Sequence, residues 1–523
     1  MWVKNVQWDH EAEVVVVGYG GAGAVTAITA HDAGVDVLVL EKQSENDRHP
    51  STYMSGSSIV CPSDPEAAFE HMKALYNCGP NLYETDPEVL KAWAYKTADN
   101  VSWVEKNGGE VKLFSQVGEH HNVPHYEAIQ NYRFDMGDFP TPYGLRGYGY
   151  GFFTWLMGLV KQRNIAIEYD MTAQWLITDA EGEIHGVQTV QNGKTVNVRA
   201  SRAIVLTTGG FEFDEQMKID HLRVYPTYFY ANWDNTGDGV RMAQEVGANL
   251  WHMSACSAKA MAKFDDFPTG FPINFWGYGV GMTREQTYSF PGPLGDLRTA
   301  GTEATPTQAG CGVMQVDRFG KRFTNEVWKQ HTHYYELTGF DSQRTVYPRV
   351  PCYWIFDQAR MNAGQLALRE TGAAGPLQLY PWSQDNLAEL EKGWIIKAES
   401  IEELAKQLEM DPASLRETLR DYNAGCSSGK DAFGRKPHTL VELNPPFYAM
   451  RLWPGGPNTQ GGPQRNAKAQ IVSVTGDAIP RLYSAGELGS MYGMLYPVGG
   501  GNIAEVIAFG RIAGENASQE SRR

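Results

Sequence analysis

Cysteine is scarce and scattered. Six occur in 523 residues, at positions 61, 78, 256, 311, 352 and 426, with no CxxC, CxxCH or clustered set among them. That spacing excludes iron–sulfur clusters, c-type haem and structural zinc, and leaves reduced thiols. Basic charge is also in deficit: 45 Lys and Arg stand against 61 Asp and Glu, a formal net charge of −16. Such an acidic chain is a poor partner for nucleic acid or an anionic membrane. No apolar run approaches the roughly 18 residues of a membrane span. The opening Met1-Trp2-Val3-Lys4 has no basic segment leading into an apolar one, so no export signal is expected and the cytoplasm is the expected location. Repeats and low-complexity tracts are missing too. What the chain has in quantity is apolar residues (42%) and aromatics (12%), enough for a large core. Its length suits about two to four domains.

The most informative segment is Glu13-Val14-Val15-Val16-Val17-Gly18-Tyr19-Gly20-Gly21-Ala22-Gly23, followed by the apolar run Asp36–Leu40 and then Glu41. Strand, glycine turn, helix, strand and acid stand in the order a dinucleotide site requires. Gly18 permits the tight turn, Gly20 lets backbone approach a pyrophosphate, and Gly23 lets the helix Gly21–Ala33 lie against the strand. The helix N-terminus, with Gly21 and Ala22, offers free N–H groups and a positive dipole end to phosphates. Glu41 is placed to accept from ribose hydroxyls and disfavours a 2′-phosphate. The expected cofactor is an adenine dinucleotide.

Further on, Thr52–Ser58 is a small-residue loop able to lie against a flat ring or phosphate. Helical periodicity covers Asp86–Asn107. Alternation at Ala166–Asp170, Gln174–Thr178 and Ile184–Gln191 predicts strands, with turns at Glu181-Gly182 and Asn192-Gly193. Ala203–Leu206 is a buried strand running into Thr207-Thr208-Gly209-Gly210-Phe211, and Asn235–Gly239 opens a helix, Val240–Val246. From about 245 to 440 the texture turns to aromatic, Gly- and Pro-rich loops and then an amphipathic stretch, Ile401–Tyr422. Dinucleotide-domain texture returns at Ala469–Ser473 and Arg481–Glu487. The chain closes with Tyr496-Pro497-Val498-Gly499-Gly500-Gly501-Asn502 and the helix Ile503–Asn516. This second glycine turn feeding a helix suits an anionic group. The expected class is α/β: a Rossmann-like domain, 1–244 with 440–523, and an inserted α+β domain, 245–439.

Together these segments, with Arg322-Phe323-Thr324-Asn325-Glu326 and Asn458-Thr459-Gln460-Gly461-Gly462, resemble the flavoprotein family of fumarate reductases, urocanate-type reductases and 3-ketosteroid dehydrogenases. The resemblance spans most of the chain. It implies FAD, with diphosphate on the Gly18–Gly23 turn and ribose near Glu41. Lys42, Ser51, Thr208, Gly209, Asp238 and Gly486 complete the implied cofactor set. Ser55, Gly56 and Ser57 would lie by the isoalloxazine, Glu487 near the ribityl chain, and the amides of Gly501, Asn502 and Ile503 at the N1/C2=O edge, where reduced flavin carries charge. Pro50 falls where some members carry a flavin-linking histidine, so the FAD is expected to be dissociable, with His49 next door. No second GxGxxG follows a strand; Gly277–Gly281 lacks that context. Electrons are therefore expected to pass through a diffusible carrier or a partner protein.

The resemblance also implies hydride transfer between flavin N5 and the carbon β to a carbonyl. A protein group moves the α-proton. The arginines and histidine that clamp dicarboxylates in fumarate-type members fall here at Gln330, Pro497 or Val498, and Asn458, all neutral. Two carboxylates without guanidinium partners would be costly to desolvate. Tyr496–Gly500 instead resembles the segment of ketosteroid Δ1-dehydrogenases whose tyrosine hydroxyl and glycine amide grip a ketone oxygen; here these are Tyr496 and Gly500. Gln330 stands at their base position and cannot exchange protons. His331 and Tyr334 are the substitutes, with His333, Tyr335 and Tyr492 nearby. His120, His121 and His125 are expected to form a solvated loop, not a metal site. Phe267, Phe271, Phe275, Trp276, Tyr278 and Tyr288 suit a neutral cyclic substrate, or ordinary core. The expected activity is α,β-desaturation of a cyclic ketone. The alternatives are the reverse reaction on an enone or enoate, and a non-catalytic FAD-binding protein.

Overall fold

Four successive valines, Val14–Val17, are buried on both faces, the signature of a strand inside a parallel sheet. In the computed structural model, which describes residues 6–115, 118–136, 139–141, 144–146, 148–273, 311–326, 331–367, 372 and 379–523, they end strand β1 (His10–Val17). Helix α1 (Gly21–Asp32) and strand β2 (Val37–Leu40) follow. The sheet continues with β3 (Ala166–Glu168), β4 (Met171–Thr178), β5 (Ile184–Gln191), β6 (Lys194–Leu206), β7 (Gln470–Val472) and β8 (Ala478–Ser484). Its order is β3-β2-β1-β6-β5-β4, with β8 pairing β6 and β7 pairing β8. The β3-β2-β1-β6-β8 ladders are parallel; β4, β5 and the first half of β6 form an antiparallel meander.

Register decides what this sheet does. Val17 pairs with Leu40 on one side and Leu206 on the other, and Leu206 pairs with Ser484. Four carboxyl ends thus stop level, and the loops that leave them (Gly18 onward, Glu41 onward, Thr207–Gly209 and Ala485–Glu487) open along one edge. Ligands of open parallel sheets bind at such an edge. The C-terminal helix α2 (Gly501–Gln519) lies along α1, with Gly510 against Val25 and Gly514 against Thr26.

Two compact units form: 1–222 with 231–257 and 458–523, and 223–230 with 258–457. Texture alone sets the second at 245–439. In the second unit Phe447–Thr459 pairs antiparallel with Cys352–Asp357 and Ile395–Ala398, and Val313–Val316 adds beyond Cys352–Asp357. Phe271 is fully buried in its core and Phe267 packs on it, beside the Phe264–Trp394 stack (3.9 Å). These two aromatics are therefore core; Phe275, Trp276, Tyr278, Tyr288 and Gly277–Gly281 lie outside the described residues.

Local signals explain the element ends. The predicted helix over 86–107 is two helices, Pro87–Thr97 and Asn100–Lys106. The stretch 401–422 likewise divides into Ile401–Gln407 and Pro412–Ser428, because Asp411 caps a new first turn and Pro412 cannot continue the old one. No helix of the described residues is long and apolar enough to cross a membrane.

Candidate active site

The level strand ends enclose a cleft of about 810 Å³ in the first unit. Gly18, Gly20, Gly21, Ala22, Glu41, Lys42, Ser51, Thr208, Gly209, Asp238 and Glu487 line it. Gly18 adopts φ +101°, and a Cβ there would lie 2.6 Å from the Thr207 carbonyl oxygen; a Cβ on Gly23 would lie 2.0 Å from the Gly18 oxygen. Only glycine fits either position. Gly20, by contrast, has only Pro50 Cβ near its open side, at 4.0 Å. Gly21 N–H donates to Thr52 Oγ1 (3.0 Å). The amides of Ala22 and Gly23 belong to the first helical turn, which leaves them without intrahelical acceptors. The Glu41 carboxylate accepts from the N–H of Tyr19 (2.7 Å) and of Gln43 (2.8 Å), one on each oxygen. Each oxygen keeps a lone pair for a further donor such as a ribose hydroxyl.

Buried hydroxyls point to a missing partner. Thr208 Oγ1 and Ser57 Oγ are both buried with no hydrogen-bond partner among the described residues. An adenine dinucleotide rich in acceptors suits these donors, the glycine cradle and the free helical amides together. Ser55 Oγ donates to Thr52 O (2.9 Å) and accepts from Ser57 N–H (3.3 Å), so the 55–57 loop is fixed from within. A strap crosses the cleft between residues 42–51 and 232–238. Lys42 Nζ pairs with Asp238 (2.9 Å), and Ser51 Oγ accepts from Asn232 N–H and Asn235 Nδ2 (3.2 Å each). Gln43 Nε2 donates to Asp234 (2.6 Å), and His49 stacks on Trp233 with centroids 3.4 Å apart. The His49 hydrogen bond, first among the causes, holds Asp234 down at about 2.

Glu487 lines the cleft, with Glu212 beside it. Glu212 accepts from Thr459 N–H and Oγ1 (2.5 Å each) and from Asn235 Nδ2 (3.0 Å); Glu487 accepts from Gly210 N–H (3.1 Å). Burial, followed by the charge and hydrogen bond of Glu212, pushes Glu487 well above the usual carboxylate range. The raised pKa favours the protonated acid, which can donate.

Tyr496, Tyr492 and Gly500 come together at the head of α2. Asn502 N–H, one of the three amides expected at the flavin edge, donates to Tyr496 Oη (2.7 Å). Tyr492 Oη donates to Gly501 O (2.8 Å), and its ring stands edge-on to Tyr496 at 5.3 Å. Burial, then the nearby Glu505, pushes Tyr492 far above a normal phenol. Gly500 takes φ +98°, and a Cβ there would meet Ser58 at 2.7 Å, which sets this turn against the 55–58 loop. Asn502 Nδ2 donates to Asn458 Oδ1, and Gln460 Nε2 lies 3.4 Å from Asn502 Oδ1. Asn502, the residue bonded to Tyr496 Oη, is thus joined by two further neutral amides.

The loop bearing both tyrosines is held along its backbone by side chains distant in sequence. His252 Nδ1 contacts Ser490 O (2.8 Å), Thr85 Oγ1 donates to Met491 O (2.9 Å), and Glu84 accepts from Met494 N–H (2.8 Å). Tyr76 Oη donates to Leu495 O (2.7 Å) and His120 Nε2 lies 2.8 Å from Tyr496 O. The histidine loop is solvated as expected, with Asn122, Pro124, His125 and Glu127 exposed, but His120 turns inward to the Tyr496 backbone. His121 stacks on Tyr126 (4.2 Å), and buried His71 lies beneath, its Nδ1 2.8 Å from Pro124 O. Burial pushes His71 down to about 4.

His331 and Tyr334 lie in the second unit, both buried; His333 Nδ1 is 3.2 Å from Glu336. Gln330 lies outside the described residues. The Arg322–Glu326 motif is a scaffold. Arg322 grips Glu326 with two bonds (2.6 and 2.8 Å) and also Asp431, and Arg435 adds to Glu326 at 3.2 Å. Sequence reasoning missed Glu212, Trp233 and the props Glu119 and Asn131. Thr52 stood in the loop already singled out, His120 was read only as part of a solvated loop, and Glu212 lies one residue past the Thr207–Phe211 turn.

The family described as FAD binding domain matches residues 13–257 and 291–503. Fumarate reductase (cytochrome) of Shewanella frigidimarina is 26% identical over 529 residues, covering 98% of this chain and 78% of that protein. Among solved structures, 3-ketosteroid Δ1-dehydrogenase of Sterolibacterium denitrificans superposes with TM-score 0.78 at 19% identity, covering 97% of this chain and 99% of that one. The 3-ketosteroid-Δ4-(5α)-dehydrogenase of Rhodococcus jostii RHA1 gives 0.67 at 22%, covering 98% of each. At these identities the two structures speak for the fold.

Proposed function

The chain belongs to this FAD-binding family, and from that premise we propose that it is an FAD-dependent oxidoreductase of the CH–CH bond beside a carbonyl, α,β-desaturating a neutral cyclic ketone of ketosteroid or cyclohexanone type. The observation that carries the reading is Tyr496 Oη at the N-terminus of α2, accepting from Asn502 N–H. A hydroxyl that accepts from a positive helix end is a stronger donor. Tyr496 O–H and Gly500 N–H bind the ketone oxygen and stabilise the charge that grows on it, which acidifies the α-carbon. A protein base takes the α-proton, and Tyr492, donating to Gly501 O, fixes the turn. When bound, FAD supplies the acceptor for the β-hydride. The ketone thus loses a proton and a hydride and becomes an enone, and a diffusible acceptor or a partner protein removes the two electrons.

The amides of Asn458, Gln460 and Asn502 support a neutral substrate over a dicarboxylate. Dissociable FAD is supported by His49, whose ring nitrogens engage Asp47 O and the Gln43–Asp234 pair. The reverse reading, an enone or enoate reductase using a reduced carrier, is favoured by the fumarate reductase relative. One anaerobic experiment separates them. Bleaching of the flavin by cyclohexanones or ketosteroids supports desaturation; reoxidation of reduced enzyme by enones or acrylates, without bleaching by ketones, supports the reductase. Fumarate and succinate are predicted to do neither. Fumarate turnover matching the best enone overturns the neutral-substrate assignment, and silence toward every carbonyl leaves a non-catalytic FAD-binding protein.

A further inference from the structure

We infer that Glu119, His120 and Asn131 are positioning residues for the ketone grip, holding the backbone of residues 496–499 and through it the direction of Tyr496 Oη–H and Gly500 N–H. This rests on the ketone reading above.

The grip sits on a run of three glycines, Gly499, Gly500 and Gly501, which have no side chains to fix their conformation. The turn is half-buried, and its backbone groups need partners. The segment 118–131 supplies them one after another. His120 Nε2 lies 2.8 Å from Tyr496 O; a carbonyl only accepts, so Nε2 carries the proton in this contact. Glu119 acts twice: its own N–H donates to Pro497 O (2.9 Å), and its carboxylate accepts from Gly499 N–H (3.1 Å). Asn131 Nδ2 donates to Gly499 O. Consecutive bonds therefore bracket Val498 from both sides.

The props are themselves anchored. Asn131 begins a strand that pairs with Ser58–Val60, and Ser58 is the residue against which Gly500 closes. His71 ties the middle of the segment through Pro124 O. The backbone that carries Tyr496 and Gly500 is thus held by segment 118–131 together with the start of the C-terminal helix. The props bond backbone groups of Tyr496, Pro497 and Gly499, so this effect passes through the backbone. Such placement matters because displacing an aligned group by about 1 Å costs about 10²-fold in rate.

The test uses FAD-loaded full-length enzyme and the best ketone from the anaerobic screen. His120→Ala and Glu119→Ala are expected to lower kcat about 10- to 100-fold with KM changed less than about threefold, FAD content and flavin spectrum unchanged. His120→Gln and Glu119→Gln, which keep the donor and the acceptor, are expected to restore kcat to within about threefold of the parent. Combined with Tyr496→Phe, His120→Ala should cost clearly less than it does alone, because part of its effect passes through that hydroxyl and only the Gly500 N–H remains to be misplaced. Where His120→Ala fails to fold, His120→Phe fills the volume without an imidazole and carries the same test. Tyr496→Phe impaired beside unimpaired His120→Ala and Glu119→Ala overturns the positioning role alone. Fully additive losses, or Gln variants no better than Ala, also overturn it. An unimpaired Tyr496→Phe overturns the ketone grip itself, and this inference with it.

Discussion

The N–H of Asn502, in the first turn of the C-terminal helix, donates to the hydroxyl of Tyr496 at 2.7 Å. The bond joins a phenol to the positive end of a 19-residue helix.

Tyr496→Phe keeps the ring and removes that proton. The expected loss is about 10²–10³ in turnover of a saturating ketone, the usual cost of one oxyanion donor. The variant also strands the Asn502 amide, so stability should fall by about 1–3 kcal/mol. FAD content should not change. Turnover and urea denaturation measured on the same preparation check both halves, and near-normal turnover refutes the grip.

Glu41 bears on the cofactor. Its carboxylate already accepts from Tyr19 and Gln43 N–H and lines the cleft. Replacing it by alanine leaves two backbone donors unpaired, at about 1–3 kcal/mol each. Glu41→Ala should weaken FAD binding at least about tenfold, since a hydrogen bond to a charged acceptor is worth about 1.5–3 kcal/mol. Glu41→Arg should be worse still. Flavin absorbance per chain, and FAD titration of apoprotein, are the measurements.

Glu487 makes stability depend on pH. Its pKa is raised in the folded chain above the ordinary 4.5, by burial and by Glu212 beside it. The folded chain therefore holds a proton that the unfolded chain releases. That stabilisation is complete below about 4.5 and is lost as pH rises toward the folded value. Glu487→Gln mimics the protonated acid. It should retain FAD and melt higher than the parent at about pH 8, with the two curves converging near pH 4. Parallel melting curves across that range refute the neutral acid.

His71 acts at the acid end. Burial holds it at about 4 against an ordinary 6.5, so the unfolded chain binds a proton that the folded chain refuses. Its contribution is intact above about 6.5 and declines as pH falls toward 4, by about 3 kcal/mol in all. His71→Phe should flatten this acid limb. Hydrogen exchange at 118–128, followed between about pH 7 and 4.5, should report the loosening first.

Local chemistry made half of this protein legible. The valine strand, the Gly18–Gly23 turn and Glu41 declare a dinucleotide cradle because everything the cradle needs lies within one βαβ unit, where spacing in sequence is spacing in space. The positive-φ turns at Gly182 and Asn192-Gly193 were readable for the same reason. Helix ends were less so. The divisions at 98–99 and 408–411 depend on caps that a periodicity reading passes over.

What lies between distant segments was decided only by tertiary structure. Register brought Glu41, Thr208 and Glu487 to one edge, since hydrogen-bonded pairing of Val17, Leu40, Leu206 and Ser484 fixes where each loop leaves the sheet. Folding turned a histidine-rich loop into a prop for Tyr496, a contact across 376 residues that no pattern encodes. It also set Glu212 against Thr459, 247 residues away, and beside Glu487, whose pKa burial and Glu212 raise. Motif residues advertise themselves because the ligand dictates their type. A hydrogen bond to a backbone carbonyl accepts any donor of the right reach, so the residue that supplies it is chosen by the fold.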